Sequence, residues 1–502
     1  MTGELSLGID IGTSATKFVL LDPEVGVIAE ESEPSGYTAP RPGFAEADPD
    51  GWWANIAAGT SRLLRKAQRT GGDVGAVGVS GMVPTIVLLD AEGRVLRPSI
   101  QQNDARAVSE IVWIRDRTEA ADILRRTGSA VTQQSLAPKL RWLRDHEPDV
   151  MSAARHLCGS YDFAVHRLTG EWSAERNWAL ESGLYDLTTG TWDESLLALA
   201  EIPKSWVAPV HRPADIVGVV SRAAAAVTGL ADGTPVVAGS ADHVASALAA
   251  GVARPGDLLV KLGSAGDVLF CSDEARVDRR LFLDYHLMDD RFLPNGCMAS
   301  SGSLLQWFQR ELGAGMPLRA LDDEASGVRP GAEGLIVLPY FLGEKTPLFD
   351  PLARGTVVGL TLSHSRAHLF RAFLEGISFG FRHHIEVLAE LGWLPTRVRC
   401  TNGGADSKLW KQVAADVLGL PLEQVAGNAG SPLGAAFAAG MGAGIFSDWE
   451  QVHRFVRIAS IVEPDQVAHG RYEALYPIFR DTYDRLKDVY PRLVARGGED
   501  LV

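Results

Sequence analysis

The sequence predicts an α/β protein built as two large domains, and three observations carry that reading. A hydrophobic strand runs straight into Asp10-Ile11-Gly12-Thr13-Ser14-Ala15-Thr16-Lys17. A near echo, Leu262-Gly263-Ser264-Ala265-Gly266, follows a second strand past the midpoint. The chain has 502 residues and a mass of 53.9 kDa, too long for one core. Gly12 lets the backbone turn tightly between two apolar runs, so that amide N–H groups and the Thr13 and Ser14 hydroxyls can converge on a small anion. Asp10 at the turn's entrance can hold a divalent cation beside phosphates, and Lys17 adds a point charge. One such motif is an ordinary Gly-Thr hairpin. Two, each opening a comparable stretch of chain, predict a duplicated nucleotide-binding architecture.

The remaining elements follow the same rhythm. In the first half, strands are predicted over 74–79 and 85–89, a helix over 52–65, a helix start over 137–143 with Pro138 in its first turn, and another helical piece over 161–165. A buried strand over 234–240 ends in small residues, and Asp242-His243 then opens a small-residue helix over 244–250. The domain boundary is placed here, giving domains 1–243 and 244–502. The second half predicts strands over 257–263, 335–338 and 398–401, a long helix over 368–391, and helical trim from about Val452 to a polar tail. No low-complexity linker separates the halves, so they are expected to pack closely and hinge.

Composition bounds the partners. Hydrophobic residues make up 46 % of the chain and mean hydropathy is +0.02, as in an ordinary globular enzyme. A formal charge of −15 leaves no basic field for nucleic acid or an anionic membrane. Small neutral or Mg-complexed ligands fit better. Met1-Thr2-Gly3-Glu4 lacks the basic start of a secretion signal, so a cytoplasmic location is expected. Cys158, Cys271, Cys297 and Cys400 are scattered without metal-ligand spacing and read as thiols.

Beyond the phosphate loops, three constellations carry chemistry. Asp242 sits at the mouth of a strand with Gly239 and Ala241 beside it; its carboxylate can take a proton from a hydroxyl attacking a phosphoryl group, although an Asp here is ordinarily a helix N-cap. Asn402-Gly403-Gly404-Ala405 lets backbone approach a flat or charged ligand, with Ser407 and Lys408 starting a helix; a plain strand-to-helix turn has the same appearance. Gln101-Gln102-Asn103-Asp104-Ala105-Arg106 can hydrogen-bond several hydroxyls of a polyol at once, or simply form a solvated loop.

Taken in this order, the motifs resemble the FGGY carbohydrate kinase family. Leu7-Gly8-Ile9-Asp10-Ile11-Gly12-Thr13-Ser14 is similar to its first phosphate motif, Asn103-Asp104-Ala105-Arg106 to its N-D-x-R sugar motif, and Ala137-Pro138-Lys139-Leu140-Arg141-Trp142 to its A-P-K-L-x-W segment. Leu338 to Pro347 resembles the family's L-P-Y-x-x-G-E-R-T-P stretch, and Gly355 to Leu360 with His368 to Gly376 nearly satisfies its second signature. The resemblance implies two RNase H-like domains of the actin-like ATPase fold, with ATP and Mg2+ in the cleft and a sugar or polyol held mainly by the first domain. It places Asp242 as base and Asp10 at the metal. It assigns Met82, Asn103, Asp104, Arg106, Asp242 and His243 to the sugar, and Gly12, Thr13, Ser14, Lys17, Gly263, Ser264, Gly302, Gln306, Gly403, Gly404, Ala405 and Lys408 to the nucleotide. It also leaves room for a homodimer.

The branch of the family that acts on xylulose looks most similar, which makes a pentulose such as D-xylulose the first expectation. That branch carries Q-M-H where this chain has Met82-Val83-Pro84, so a ring donor is missing, and another ketose, a tetritol, glycerol or ribulose stays open. Gln102 replaces a frequent Trp, and Trp178 replaces a small residue. An actin- or Hsp70-like nucleotide switch would share the loops but needs neither the polyol cluster nor a base at Asp242. An inactive sugar sensor would not need Asp10, Thr13 and Asp242.

Overall fold

The computed structural model describes residues 3–427 and 429–496. In the first half, β1 (Leu5–Ile11), β2 (Ala15–Asp22) and β3 (Gly26–Pro34) form an antiparallel meander, followed by α1 (Pro49–Lys66), β4 (Val74–Gly81), α2 (Leu136–His146), α3 (Ser160–Thr169) and α4 (Arg176–Glu181). The half closes with β5 (Ile216–Val219), β6 (Pro235–Val237), β7 (Ser240–Ala241) and α5 (Asp242–Ala249). Every residue of β1 and β4 is buried, as expected of central strands covered on both faces. Asp48 caps α1 by accepting from Asp50 N–H, and Pro49 starts it without wasting a donor.

The second half repeats the scheme with β8 (Asp257–Leu262), β9 (Gly266–Phe270), β10 (Phe282–Tyr285), β11 (Phe292–Met298), α6 (Gly302–Glu311), α7 (Arg366–Glu390), β12 (Arg397–Thr401), α8 (Lys408–Leu418), β13 (Leu422–Ala426), α9 (Ser431–Gly442), β14 (Arg457–Val462) and α10 (Gln466–Leu486). The first sheet runs β5-β6-β4-β1-β2-β3, with β7 also on β4; the second runs β10-β11-β9-β8-β12-β13-β14. In each, a first strand pairs antiparallel with its hairpin partner and parallel with a later strand: β1 with β2 and β4, β8 with β9 and β12. The duplication expected from the two turns is therefore a duplication of whole sheets.

The halves interlock through two helices. α9 belongs to the second half in sequence, yet it lies on β1 and β4 of the first sheet and against α5. The approach is backbone to backbone. A Cβ at Gly8 would sit 1.8 Å from Pro432 O, one at Gly78 2.3 Å from Ala435 O, and one at Gly434 2.1 Å from Ala245 O. The boundary expected between 243 and 244 falls within α5.

Four expectations about elements need correction. The strand expected over 85–89 is only Val87–Leu89 and pairs with His156–Cys158 outside the main sheet. The strand over 234–240 breaks at Gly239, whose φ of 97° no strand residue adopts, into β6 and β7. The strand over 335–338 is Ile336–Leu338, in a two-stranded ribbon with Thr356–Val358. The C-terminal trim contains β14, an edge strand on β13; its alternating half-buried pattern RIASIV conceals it between helices. The polar tail beyond residue 496, like Met1 and Thr2, lies outside the described residues. Among the described residues no helix is long and apolar enough to cross a membrane.

The crossing gives a testable outcome. Gly434→Ala should destabilise the protein by about 1–3 kcal/mol, read as a lower melting temperature, because the added methyl must displace the α5 backbone at Ala245. An unchanged melting temperature would show that the helices separate without cost.

Candidate functional site

Each sheet carries its motif in a hairpin turn, and of the two only the second lines the cavities described below. In the first, Gly12 N–H donates to Ala15 O at 3.1 Å and the register sets Asp10 opposite Lys17. Thr13, Ser14 and Lys17 are exposed, so their hydroxyls and ammonium face solvent. In the second, Leu262 lies opposite Gly266 and Lys261 opposite Asp267, with Lys261 Nζ 3.1 Å from Asp267 Oδ2. This turn is pinned to the start of α6: Gly302 N–H donates to Gly263 O at 2.7 Å, and Ser301 N–H to Ser264 O at 2.9 Å.

A cavity of about 1080 Å³ opens beside the second turn. Gly263, Ser264, Gly302, Gln306, Gly403, Gly404 and Lys408 line it together, although they come from three separate stretches of sequence. Arg319, Asp322 and Trp410 line it too, and nothing in the sequence marked them. A smaller cavity of about 480 Å³ shares Gly403 and Asp406 and adds Lys261 and Ala405. The glycine pair divides by role. A Cβ at Gly404 would meet Trp410 Cζ3 at 2.3 Å and Leu262 O at 2.6 Å, so packing alone requires glycine there; nothing lies within 4 Å of one at Gly403. Ser407 caps α8, its side chain accepting from Trp410 N–H at 3.0 Å.

The carboxylates gather where the hairpins meet α5. Asp10, 6 % exposed, accepts from Ser80 Oγ at 2.9 Å. Burial, reinforced by the charge of Asp242, pushes its pKa up to about 7, against the pull of Ser80, Lys17 and Lys261. Asp10, Asp242, Lys17 and Lys261 thus share one electrostatic neighbourhood. β7 delivers Asp242 to the first position of α5, with Ala241 rather than Asp242 at the N-cap position. The Asp242 carboxylate still satisfies a free helix donor, Oδ1 accepting from His243 N–H at 2.7 Å, and the side chain keeps 34 % exposure. Gly239 is required behind it, since a Cβ would lie 2.4 Å from Val79 O. His243 is engaged elsewhere: Nε2 donates to Asp284 Oδ2 at 2.8 Å, and Glu181 Oε1 lies 3.9 Å away. Neither acid carried a sequence signal, because α4 and β10 bring them in from distant positions.

The polar run at 101–106 divides. Asp104 and Arg106 are buried and face each other: the Asp104 carboxylate accepts from Ala45 N–H (2.6 Å), Arg106 N–H (3.0 Å), Arg106 Nε (2.8 Å) and Arg106 Nη2 (2.8 Å). That fills its acceptor sites. Arg106 also reaches Glu46 and lies 4.1 Å over the Phe44 ring. Asn103 is exposed. Gln102, the departure from the family's frequent Trp, is met here by Gln134, whose Nε2 donates to Gln102 Oε1 at 3.3 Å. Lys139, whose pKa burial pushes down to about 7, donates to Gln101 O at 2.9 Å and holds the run in place. Met82 is 3 % exposed, its N–H bound to Ile11 O. Trp178 is fully buried and donates to Thr85 O at 3.0 Å, so this departure serves packing.

Two sheets of repeated topology, each opened by a hairpin, give the protein the actin-like ATPase fold. Comparison with known proteins is specific: residues 5–249 match the N-terminal domain, and residues 282–443 the C-terminal domain, of the FGGY family of carbohydrate kinases, and the chain belongs to that family. It is a carbohydrate kinase, an enzyme that draws on ATP. The xylulose kinase of Escherichia coli (strain K12) is 30 % identical over 96 % of this chain and 99 % of its own. The gluconokinase of Bacillus subtilis (strain 168) is 26 % identical over 97 % of each. The crystal structure of xylulose kinase from Rhodospirillum rubrum superimposes with a TM-score of 0.92 at 45 % identity, covering 97 % of this chain and 99 % of that one.

Asp10 yields a pH-dependent outcome. Its folded pKa lies above its unfolded value, so its contribution to stability is complete below about pH 4 and is lost as pH rises through about 7. Asp10→Asn, which has no proton to lose, should gain melting temperature over the parent at about pH 8 and little at about pH 4. An equal gain at both would show that Asp10 ionises freely.

Proposed function

We propose that this kinase transfers the γ-phosphoryl group of ATP to a hydroxyl of a small uncharged sugar, a pentulose such as D-xylulose, with Asp242 as general base. The observation that carries the reading is the placement of Asp242: one-third exposed at the start of α5, beside Asp10 and Lys261. Asp242 Oδ2 makes no hydrogen bond among the described residues and is free to take a proton. In the reaction the acceptor O–H proton passes to Asp242 as its oxygen bonds the γ-phosphorus; the bond to the β,γ-bridging oxygen breaks and its electron pair leaves with ADP.

Residues 1–243 hold the acceptor and the first phosphate loop in this reading, and residues 244–502 hold the nucleotide. Thr13, Ser14 and Lys17 meet phosphates from one side, Gly263 and Ser264 from the other, while the cavity at Gly302, Gln306, Gly403 and Lys408 takes the nucleoside. The fit of Mg2+ is tested by Asp10: a buried carboxyl beside a second carboxylate is short of positive charge, and a divalent cation would supply it. Asp10 is therefore its holder, and bound there it would neutralise charge on the phosphates.

The relatives named for xylulose favour a ketose over gluconate, and so does local charge. Asp242 and Asp284 flank a single imidazole, two acids to one cation, a setting that disfavours an anionic acceptor. ADP release measured over D-xylulose, ribulose, erythritol, glycerol and gluconate should show a neutral ketose with the highest kcat/KM. Gluconate as the best substrate would contradict the proposal.

Two variants test the roles. Asp242→Asn should lower kcat by roughly a hundredfold or more with little change in sugar KM, the usual worth of a general base. Near-native turnover would remove Asp242 from the chemistry. Gly403→Val should raise KM for ATP roughly tenfold and leave sugar KM within about twofold, since the side chain enters space that only the nucleotide needs; equal effects would contradict the nucleoside placement.

A further inference from the structure

His243 is enclosed by acids from three elements. Its Nε2 donates to Asp284 Oδ2 on β10 at 2.8 Å, its Nδ1 lies 3.4 Å from Asp242 Oδ1, and Glu181 Oε1 at the end of α4 is 3.9 Å from Nε2. Asp284 is 1 % exposed and held in turn by Asn295, whose Nδ2 donates to the same Oδ2 at 2.6 Å. The brace is fixed across the two halves of the chain: Asn177 on α4 exchanges hydrogen bonds with the backbone of Tyr285 on β10, at 3.0 and 2.8 Å. Asp284 Oδ1 and Glu181 Oε1 are buried without a hydrogen-bond partner, and burial, with the charge of Asp284 added, pushes the Glu181 carboxyl well above the usual carboxylate range.

The three side chains bring ligand atoms within 4.8 Å of one another, close enough to suggest a metal. The geometry argues otherwise. Two ligands about 2.0–2.1 Å from a tetrahedral ion stand roughly 3.3 Å apart, whereas Nε2 and Asp284 Oδ2 are at hydrogen-bond distance. The cluster is built around a proton.

We propose that His243 is a positioning residue for phosphoryl transfer: a ring braced on Asp284 that fixes Asp242 Oδ1 and leaves Asp242 Oδ2 directed at the acceptor hydroxyl. The inference rests on Asp242 being the base. Two contacts orient Oδ1, the His243 N–H and the ring edge, so the carboxylate cannot rotate its oxygens without losing both. A protonated ring also offsets the like charges of Asp242 and Asp284. The ionisable groups facing the ring are Asp242 from its own helix, Glu181 from α4, Asp284 from β10 and, at longer range, Asp267 from β9, itself paired with Lys261. Burial works against charge on the ring, but Asp284, Asp242 and Glu181 outweigh it and hold its pKa well above the ordinary histidine range. At neutral pH the ring is charged, and the support is withdrawn only as pH rises through that raised value.

The test is the pH dependence of kcat and sugar KM for the full-length protein and three variants, with melting temperatures alongside. Wild-type kcat should fall on the alkaline side as His243 loses its proton. His243→Gln keeps a donor near the Nε2 position but no charge; it should lower kcat about tenfold at neutral pH with sugar KM within about twofold, and its profile should lack that alkaline limb. Asp284→Asn removes the carboxylate that most raises the ring's pKa, so it should move the limb to lower pH. Should the Gln variant fail to fold, Asp284→Asn decides alone: a displaced limb supports the proposal and an unmoved one overturns it. A His243→Gln profile superimposable on wild type, or lower activity with the limb intact, likewise overturns the proposal and makes the cluster structural. Asp242→Asn separates the two readings: a large loss of turnover there with an unshifted His243→Gln profile defeats this inference alone, while near-native turnover defeats the base assignment and this inference with it.

Discussion

The site depends on holding two carboxylates, Asp10 and Asp242, close together at the meeting point of a strand end and a helix start. Like charges in a buried setting oppose ionisation, and Asp10 registers the opposition in a pKa of about 7. Among the described residues Asp10 has no direct ion pair. Cations surround the two acids instead: Lys17 across the first hairpin, Lys261 held by Asp267 on the second, and His243, which lies against Asp242 and is braced on Asp284. An acid pair left short of positive charge is suited to receive a cation.

That arrangement is possible because the two halves touch through backbone. Gly8, Gly78 and Gly434 let α9 lie directly on the first sheet and α5 directly on α9. Larger residues would push α5 outward, and with it Asp242. The same absence of side chains places the second hairpin turn against the start of α6, where Gly302 binds Gly263 O. Stability and the placement of Asp242 therefore draw on the same contacts, and the strain at Asp10 is carried by the packing around it.

What the sequence revealed divides along a physical line. The two hairpin turns, the Gly403-Gly404 turn and the place of Asp242 at a helix start were legible because each is a local pattern in which small residues and one functional group sit together. The cavity shows that Gly263, Gly302, Gln306, Gly403 and Lys408 do converge. Asp104 and Arg106 were legible as a polar motif, but their burial against each other, Glu46 and Phe44 is a tertiary outcome that no spacing announces. Glu181, Asp284, Arg319 and Asp322 were missed for the same reason: each lies on an unremarkable stretch and gains its meaning from a neighbour far away in sequence. β14 was missed because an edge strand exposed on one face and only half-buried on the other lacks the apolar run that marked β1 and β8.

The most direct test of the acid pair is the proton count on binding MgADP. Calorimetry in buffers of differing ionisation enthalpy at about pH 6.5 measures protons released per nucleotide bound. With Asp10 protonated in a large fraction of free molecules and obliged to ionise beside the metal, wild-type protein should release a substantial fraction of a proton more than Asp10→Asn. Equal proton release by the two proteins would mean that Asp10 does not change ionisation when nucleotide and metal bind, and would contradict its place in the site.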